Sequence, residues 1–400
     1  MIKPILILGA LISALYTQDV YLKLSRMAQE RMTLAIALPK EREMRRVIDV
    51  VKDDLEFSLY FNIVVDSIPD NDLEKWASTN AATLLYSKGR SQEIEIYLYD
   101  LAFKGLIKKK RYRIGKNWRW TGHRIADDVI KILTGEEGIA ETKISFSIKK
   151  GKGKEIGIMD YDGYNAHQVT KGGGLKLFPE FSKRRPEIIF SFYSKDNLYI
   201  YSLDLSNYSV RPIIQWSGIN SAPTFSPDGS KIAFSATRDG NPEIYIADIK
   251  GRNVRRITYN KSIDTSPSFS PNGRQIAFVS DRSGSPQVYI VNTDGTDVRR
   301  LTYEGSYNTS PSWSPKGDLI AYASKENGRF QIYITDLNGE FKLKLTQEGN
   351  NESPSWSPDG LHLVYSSTDG IYLMHWDGSG KRKIGDGSSP SWSGRLQNRG

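Results

Sequence analysis

Short apolar runs alternate with polar, glycine-containing turns through most of the chain beyond residue 140. The clearest unit opens with Thr265-Ser-Pro-Ser-Phe-Ser-Pro-Asn-Gly273 and continues through Ile276-Ala-Phe278, Val288-Tyr-Ile290 and Arg300-Leu-Thr302. Runs of this length, rich in β-branched and aromatic residues and bounded by turn residues, are typical of β-strands. The pattern predicts four short strands in each unit.

The unit recurs at a nearly constant spacing. Its first proline falls at positions 179, 223, 267, 311, 354 and 390, so the spacings are 44, 44, 44, 43 and 36 residues. A long period of this kind, with four short strands in each unit, is typical of a β-propeller. Six copies predict six blades.

The first and last copies are incomplete in complementary ways. The segments Ile144–Phe146, Ile156–Met159 and Gln168–Thr170 match the second, third and fourth strands of a unit, whereas Pro390–Ser393 matches a first strand alone. We therefore predict that the C-terminal strand completes the first blade and closes the ring, which removes free sheet edges. One aromatic residue of each copy is predicted to be buried between blades, namely Phe181, Phe225, Phe269, Trp313, Trp356 and Trp392.

The residues before the propeller follow a different pattern. Glu41 to Leu55 places its apolar residues on one helical face, and Ile125 to Leu133 does the same in a helix that ends at Gly135. Thr121 is predicted to cap this last helix, and His123 to order its start. Apolar runs between the helices predict a small mixed sheet, and hence an α+β N-terminal domain.

The N-terminus resembles an export signal. An apolar run of 11 residues, Ile5 to Leu15, follows Lys3, and it is too short to span a bilayer comfortably. The alternatives are an uncleaved anchor and a buried strand. We predict a signal peptide over 1–17, the α/β domain over 18–138, the propeller over 139–394 and a C-terminal tail over 395–400, with no membrane-embedded segment after cleavage.

Composition narrows the classes of function. The chain has 400 residues, a net charge of +9 and no cysteine, so disulfides, thiolate nucleophiles and cysteine metal sites are excluded. The basic cluster from Lys108 to Arg111 fits either an anionic ligand or a solvated strand; we favour the strand and predict no nucleic-acid partner.

We find no catalytic pattern. The four histidines lack metal-ligand spacing, and Gly378-Ser-Gly380 reads as a hairpin turn and not as a nucleophile turn. We therefore predict a protein that is not an enzyme and has no cofactor or metal. Two alternatives stay open: the propeller part of a hydrolase, and an exported lectin that binds envelope glycans through Trp216, Tyr259, Tyr303 and Tyr307.

The junction between the two domains carries a family resemblance. Trp120-Thr-Gly-His-Arg-Ile-Ala-Asp-Asp128, Leu133-Thr-Gly135 and Lys143-Ile-Ser-Phe146 resemble the corresponding segments of the TolB family, and the domain order is similar as well. The resemblance implies a monomeric periplasmic protein of the Tol–Pal system. It would bind the lipoprotein Pal at the propeller mouth, TolA through its N-terminal region, and other outer-membrane proteins. Its role would be in outer-membrane integrity and cell division.

The loops that lead into each first proline are the predicted Pal-binding rim. They join the outermost strand of one blade to the innermost strand of the next, so they end side by side around the central channel. The residues expected there are Ile219, Ala222, Thr265, Thr309 and Glu352. The resemblance places an N-terminal switch segment at Gln18, Asp19, Val20, Tyr21 and Leu22.

Overall fold

The computed structural model describes residues 31–66, 72–90, 92–194 and 196–395. Contacts within the chain divide it into two compact units, Met1–Glu141 and Thr142–Gly400. The predicted signal peptide, the switch segment Gln18–Leu22 and all of the predicted tail except Arg395 lie outside the described residues. No helix among the described residues is long and apolar enough to cross a membrane.

The first unit combines one mixed sheet with helices. Its elements are β1 (Met32–Ala37), α1 (Arg42–Phe57), β2 (Phe61–Asp66), α2 (Leu73–Ala77), β3 (Thr83–Arg90), β4 (Glu93–Asp100), β5 (Gly105–Arg113) and α3 (Trp118–Thr134). The strand order is β2-β1-β3-β4-β5. β1 runs parallel to β2 and β3, whereas β3, β4 and β5 are antiparallel.

Helices α1 and α3 share one apolar core with the sheet. Val47 and Val51 of α1 and Ile125 of α3 are fully or almost fully buried together with Leu34 and Ile96 of the sheet. Gly122 allows the two helices to approach closely, because a Cβ atom there would lie 2.8 Å from the Val50 side chain. The predicted helices and their apolar faces are therefore confirmed.

Two predictions about the start of α3 are wrong. The helix begins at Trp118, and the Asn117 side chain, not Thr121, caps it by accepting a bond of 3.3 Å from the Trp120 backbone N–H. His123 does not order the helix start. Its Nδ1 lies 2.7 Å from Oδ2 of Asp54 in α1, and both residues are buried, so His123 joins the two helices.

The basic cluster from Lys108 to Arg111 lies on the edge strand β5. Lys110 Nζ lies 2.6 Å from Asp128 Oδ2, and Arg111 lies 2.8 Å from Glu95 Oε1. Hydrogen bonds from Tyr97, Arg111 and Lys109 lower the pKa of Glu95 to about 2. The cluster is thus an exposed strand whose charges are largely balanced by its own neighbours.

The second unit consists of β-strands. They are β6 (Lys143–Lys150), β7 (Gly153–Asp160), β8 (His167–Gln168), β9 (Leu175–Phe181), β10 (Glu187–Ser194), β11 (Asn197–Asp204), β12 (Ser209–Ile214), β13 (Asn220–Phe225), β14 (Lys231–Ala236), β15 (Glu243–Asp248), β16 (Arg255–Arg256), β17 (Asp264–Phe269), β18 (Gln275–Ser280), β19 (Gln287–Asn292), β20 (Arg299–Arg300), β21 (Asn308–Trp313), β22 (Leu319–Glu326), β23 (Arg329–Asp336), β24 (Lys342–Lys344), β25 (Glu352–Trp356), β26 (His362–Ser367), β27 (Gly370–His375), β28 (Arg382–Gly385) and β29 (Ser388–Trp392).

These strands form a repeated set of sheets. Four sheets have four strands each, in the orders β13 to β16, β17 to β20, β21 to β24 and β25 to β28. The other strands form an eight-stranded sheet of order β12-β11-β10-β9-β7-β6-β29, with β8 paired to β7. Sequential antiparallel sheets of this kind make the unit a β-propeller.

The C-terminal strand pairs with the first strand of the unit. β29 is antiparallel to β6, with Trp392 opposite Ile144. The Trp392 ring is fully buried, and its Nε1–H donates to Thr142 Oγ1 over 2.7 Å. This is the pairing that the sequence predicts. The aromatic residues at the equivalent positions are also buried as predicted, namely Phe181, Phe225, Phe269, Trp313 and Trp356.

Candidate functional site

Strand direction decides which loops share an end of the propeller. In a four-stranded antiparallel sheet, the turn between strands two and three lies at the same end as the connection from strand four to the next sheet. We call this end the mouth. It includes the connections at 215–219, 257–263, 301–307 and 345–351, and the β6–β7 hairpin. The turns between strands one and two and between strands three and four lie at the opposite end.

A cavity of about 570 Å³ lies along the first strands of the sheets and extends to the turns between first and second strands, at Pro227, Pro271 and Pro315, at the end opposite the mouth. Each first strand contributes a buried proline, at 179, 223, 267, 311, 354 and 390. The residue before each proline has a positive φ, although none is glycine: Phe178 (51°), Ala222 (49°), Ser266 (53°), Ser310 (52°), Ser353 (54°) and Ser389 (50°).

These six positions are repeated β-bulges. In the first strand of each four-stranded sheet the pairing register shifts at this point, for instance between Thr265 and Ser268 of β17. A left-handed conformation costs a non-glycine residue about 1–2 kcal/mol. Because all six copies carry this cost, we infer that the bulge is a fixed part of the repeat. The bulge turns the residue before the proline towards the cavity.

The bulge changes which predicted rim residues reach the cavity. Ala222 lines it, as do Ser266, Ser310 and Ser353. The predicted residues Thr265, Thr309 and Glu352 each lie one position earlier and are partly exposed. Ile219 is also at the mouth, where it is 50% exposed and forms an isolated bridge with Leu198.

A buried polar residue supports each connecting loop, which the sequence analysis missed. Asn308 Nδ2 donates to Gln287 Oε1 and to the Glu304 carbonyl, each over 2.7 Å. Asn351 makes the equivalent bonds to Gln331 and to the Glu348 carbonyl. The signal was an Asn or Asp three residues before the first proline in four copies.

A second repeated contact anchors the end of the outer strand. The Thr302 hydroxyl donates to Gln287 Oε1 over 2.8 Å and accepts from the Val288 backbone N–H over 2.9 Å. The same arrangement joins Thr170 to Glu155, Thr258 to Glu243 and Thr346 to Gln331. Loops held by buried bonds at both ends are preorganised, which lowers the entropy cost of binding a partner.

One side of the mouth exposes large apolar side chains. We call them the apolar arc: Ile219 (50% exposed), Tyr259 (72%), Ile263 (49%), Tyr303 (67%) and Tyr307 (39%). Two of the tyrosines make cation–π contacts with arginines. The guanidinium of Arg256 lies 4.6 Å from the Tyr259 ring centroid, and that of Arg300 lies 4.8 Å from the Tyr303 ring centroid.

The five residues of the arc lie on three consecutive connections. The next connection carries Gln347 and Asn350 at the positions equivalent to Tyr303 and Tyr307. Trp216, in contrast to the arc tyrosines, is packed against Phe234 and Tyr245 at ring distances of 5.7 and 5.6 Å. Clustered exposed apolar residues beside polar ones are typical of a protein-binding surface.

Two carboxylates on the first strands have a pKa that is raised by burial. Burial raises the pKa of Asp264, although Arg282 lies 2.8 Å from its carboxylate. Burial also raises the pKa of Glu180, whose Oε2 accepts a 2.8 Å bond from Ser391. Within the described residues, no group of three histidine or acidic side chains is arranged to hold a metal ion.

Comparisons with known proteins agree with this geometry. The family model for the TolB beta propeller domain matches residues 130–396, more than half of the chain. A Tol-Pal system protein TolB from Desulfosudis oleivorans is 33% identical over 50% of this chain and 52% of its own length. One from Geobacter sulfurreducens is 37% identical over 46% of this chain and 48% of its own length. The chain thus spans about half the length of these curated relatives.

A solved structure extends the similarity to both units. The crystal structure of TolB from Acinetobacter baumannii superposes with a TM-score of 0.79 at 28% identity, covering 90% of this chain and 96% of that one. The repeat, the sheet arrangement and the family match lead to the same conclusion: the chain belongs to the TolB family of β-propeller proteins.

Proposed function

We propose that this chain is a periplasmic scaffold of the Tol–Pal system. It binds the lipoprotein Pal through the propeller mouth and TolA through its N-terminal region, and it acts in outer-membrane integrity and cell division. It works as a monomer, without a cofactor, and is not an enzyme. The observation that carries this proposal is the apolar arc, an exposed surface on the preorganised loops of the mouth.

The proposed architecture is a six-bladed propeller closed by its C-terminal strand. We count the eight-stranded sheet as two blades, one of β29, β6, β7 and β8 and one of β9 to β12. In support, β7 and β9 share a single paired position, Lys154 opposite Leu175, whereas β6 pairs with β7 and β10 pairs with β11 at eight positions each. With the four separate sheets this gives six blades. The proposed domain bounds remain 1–17, 18–138, 139–394 and 395–400.

The arc is well suited to carry binding energy. Tyrosine is enriched among the residues that dominate protein interfaces, since it buries a large rigid surface and retains a polar end. Around it, the proposed Pal-contacting residues are Ile219, Ala222, Thr265, Thr309 and Glu352. The segment Gln18–Leu22 is proposed to contact TolA, in line with the family resemblance.

A capture experiment tests the proposal. The mature protein, immobilised, should retain the soluble domain of the cognate Pal. The triple variant Tyr259→Ala, Ile263→Ala, Tyr303→Ala should weaken the affinity at least about tenfold, because a few central residues carry most of the energy of an interface and truncating one of them costs more than about 1 kcal/mol.

The control removes similar side chains from the opposite end. Tyr164, Tyr208 and Val298 are 54%, 55% and 41% exposed and lie in turns between third and fourth strands, so their alanine variants should bind Pal normally. Failure of the wild-type protein to retain Pal would refute the proposal. Retention that small sugars abolish would instead favour the lectin alternative, which the exposure of Tyr259 and Tyr303 keeps open.

A further inference from the structure

The hairpin between β6 and β7 carries an unusual concentration of positive charge. We define the lysine hairpin as Lys149, Lys150, Lys152 and Lys154, which fall within six consecutive residues that include no carboxylate. The first three side chains are exposed and the fourth is half-buried. Lys171, also exposed, precedes the glycine loop 172–174 that packs against the hairpin.

These lysines have no carboxylate partner among the described residues, unlike the basic residues of β5. Moreover, Lys149 is paired directly opposite Lys154 in the β6–β7 register. Like charges directly opposite each other on a sheet destabilise it. The fold therefore retains a local repulsion that an acidic ligand would relieve.

The hairpin is held rigidly at the mouth. The Lys154 backbone N–H donates to the Gly174 carbonyl over 2.9 Å. This approach requires glycine at position 153, because a Cβ atom there would lie 2.2 Å from that carbonyl oxygen. The Lys154 ammonium donates to Ser388 Oγ over 3.1 Å, and Ser388 precedes Ser389, which lines the cavity.

The surrounding charges restrict what can bind. The sheet that contacts β29 presents the exposed acids Asp369 and Asp386 at the mouth, where they share one lysine, Lys383, at 3.7 and 3.1 Å. A flat anionic surface, such as a membrane, would meet these acids together with the lysines. A protein with a localised acidic patch can approach the lysines and avoid the acids.

We propose that the lysine hairpin is a second contact region of the mouth, which attracts and orients an acidic patch on the protein that docks there. This inference rests on the proposed function, in which that protein is Pal. The apolar arc supplies most of the affinity, and the hairpin sets the association rate and the rotation of the partner about the propeller axis. Charges at the rim of an interface act mainly on association and on orientation.

The test measures association of the soluble Pal domain with the full mature protein at several salt concentrations. The variant Lys149→Gln, Lys150→Gln, Lys152→Gln should slow association about tenfold at low salt, and the difference should shrink at high salt because of screening. The dissociation rate should change much less. The control Lys231→Gln, Lys250→Gln, Lys381→Gln makes the same change in net charge at the opposite end and should associate like the wild type.

A single charge reversal separates binding from folding. Lys149→Glu places an acid opposite Lys154, so it should raise the melting temperature while it slows Pal association. If the hairpin triple variant associates as fast as the control while the wild type binds Pal, the hairpin has no such role. Vesicles of phosphatidylglycerol test the membrane alternative. If the triple variant no longer binds these vesicles but associates with Pal normally, the hairpin contacts an anionic membrane and the proposal is wrong. If the wild type does not bind Pal at all, the proposed function itself fails.

Discussion

At the residue scale, one position shows how the same loop can be supported by different chemistry. Asn308 and Asn351 use their amide N–H groups to donate to two oxygens each. Asp264, at the equivalent position, cannot donate when ionised. Its carboxylate instead accepts from Asn260 over 2.7 Å and from Arg282 over 2.8 Å. A buried carboxylate is tolerated at position 264 because the guanidinium of Arg282 lies beside it.

Because position 264 carries an aspartate in place of the asparagine, we expect the stability of the protein to depend on pH. The pKa of Asp264 is raised by burial, so in the window above the ordinary aspartate pKa of about 3.9 the folded state holds more protons than the unfolded state. Stability from this group therefore falls as pH rises through that window. Asp264→Asn should remove the loss of stability with rising pH that this carboxylate causes. The measurement is the free energy of unfolding of both proteins at several pH values; parallel curves would contradict the prediction.

At the element scale, the packing of α1 on α3 depends on a residue without a side chain. A Cβ atom at Gly122 would lie 2.8 Å from Val50 and 3.1 Å from the Val47 carbonyl oxygen. This close approach and the bond between His123 and Asp54 give a physical role to both residues of the Gly122-His123 pair. The glycine permits the approach of the two helices, and the histidine fixes it.

Gly122→Ala should therefore destabilise the first unit by about 1–3 kcal/mol, the usual cost of overpacking a core. Gly115→Ala, in the loop before α3, is a control for an added methyl group without a clash, because nothing lies within 4 Å of its Cβ atom. Adding Val50→Ala to Gly122→Ala should restore part of the loss. Chemical denaturation measures all four proteins, and equal losses for Gly122→Ala and Gly115→Ala would exclude the steric explanation.

The elements differ in how far the sequence predicts them. The strands repeat several times, so errors at one copy are corrected by the others. The cap of α3 could not be predicted, since Asn117 and Thr121 are both good capping residues. Nor could the partner of His123, which lies 69 residues away in the chain. That Ser266, Ser310 and Ser353 line the cavity could not be predicted either, because nothing in the local pattern reveals the bulge that shifts the register before each proline.

At the scale of the whole molecule, the first and last strands of the second unit, β6 and β29, pair in one sheet of the propeller. Trp392 lies at this meeting point. It stacks near Tyr161 with ring centroids 6.4 Å apart, while Ser391 accepts a 3.0 Å bond from the Phe181 backbone. Contacts between residues more than 200 positions apart thus hold the C-terminal strand in place.

Trp392→Ala should destabilise the propeller by about 3–5 kcal/mol, as large aromatic truncations in a core do. Trp392→Phe keeps a buried ring but loses the bond to Thr142, so it should cost much less, with about 1 kcal/mol from the hydrogen bond. Calorimetry follows the propeller transition in each variant. An unchanged melting temperature in Trp392→Ala would refute the closure.

The central claim is that a partner docks at the mouth, and site-specific photo-crosslinking tests it most directly. A photoreactive residue replaces Ile263 in the apolar arc or Tyr208 at the opposite end, and each protein is irradiated with the soluble domain of the cognate Pal. The account predicts a crosslinked complex from position 263 and none from position 208. A crosslink from position 208 alone, or from neither position, would contradict it.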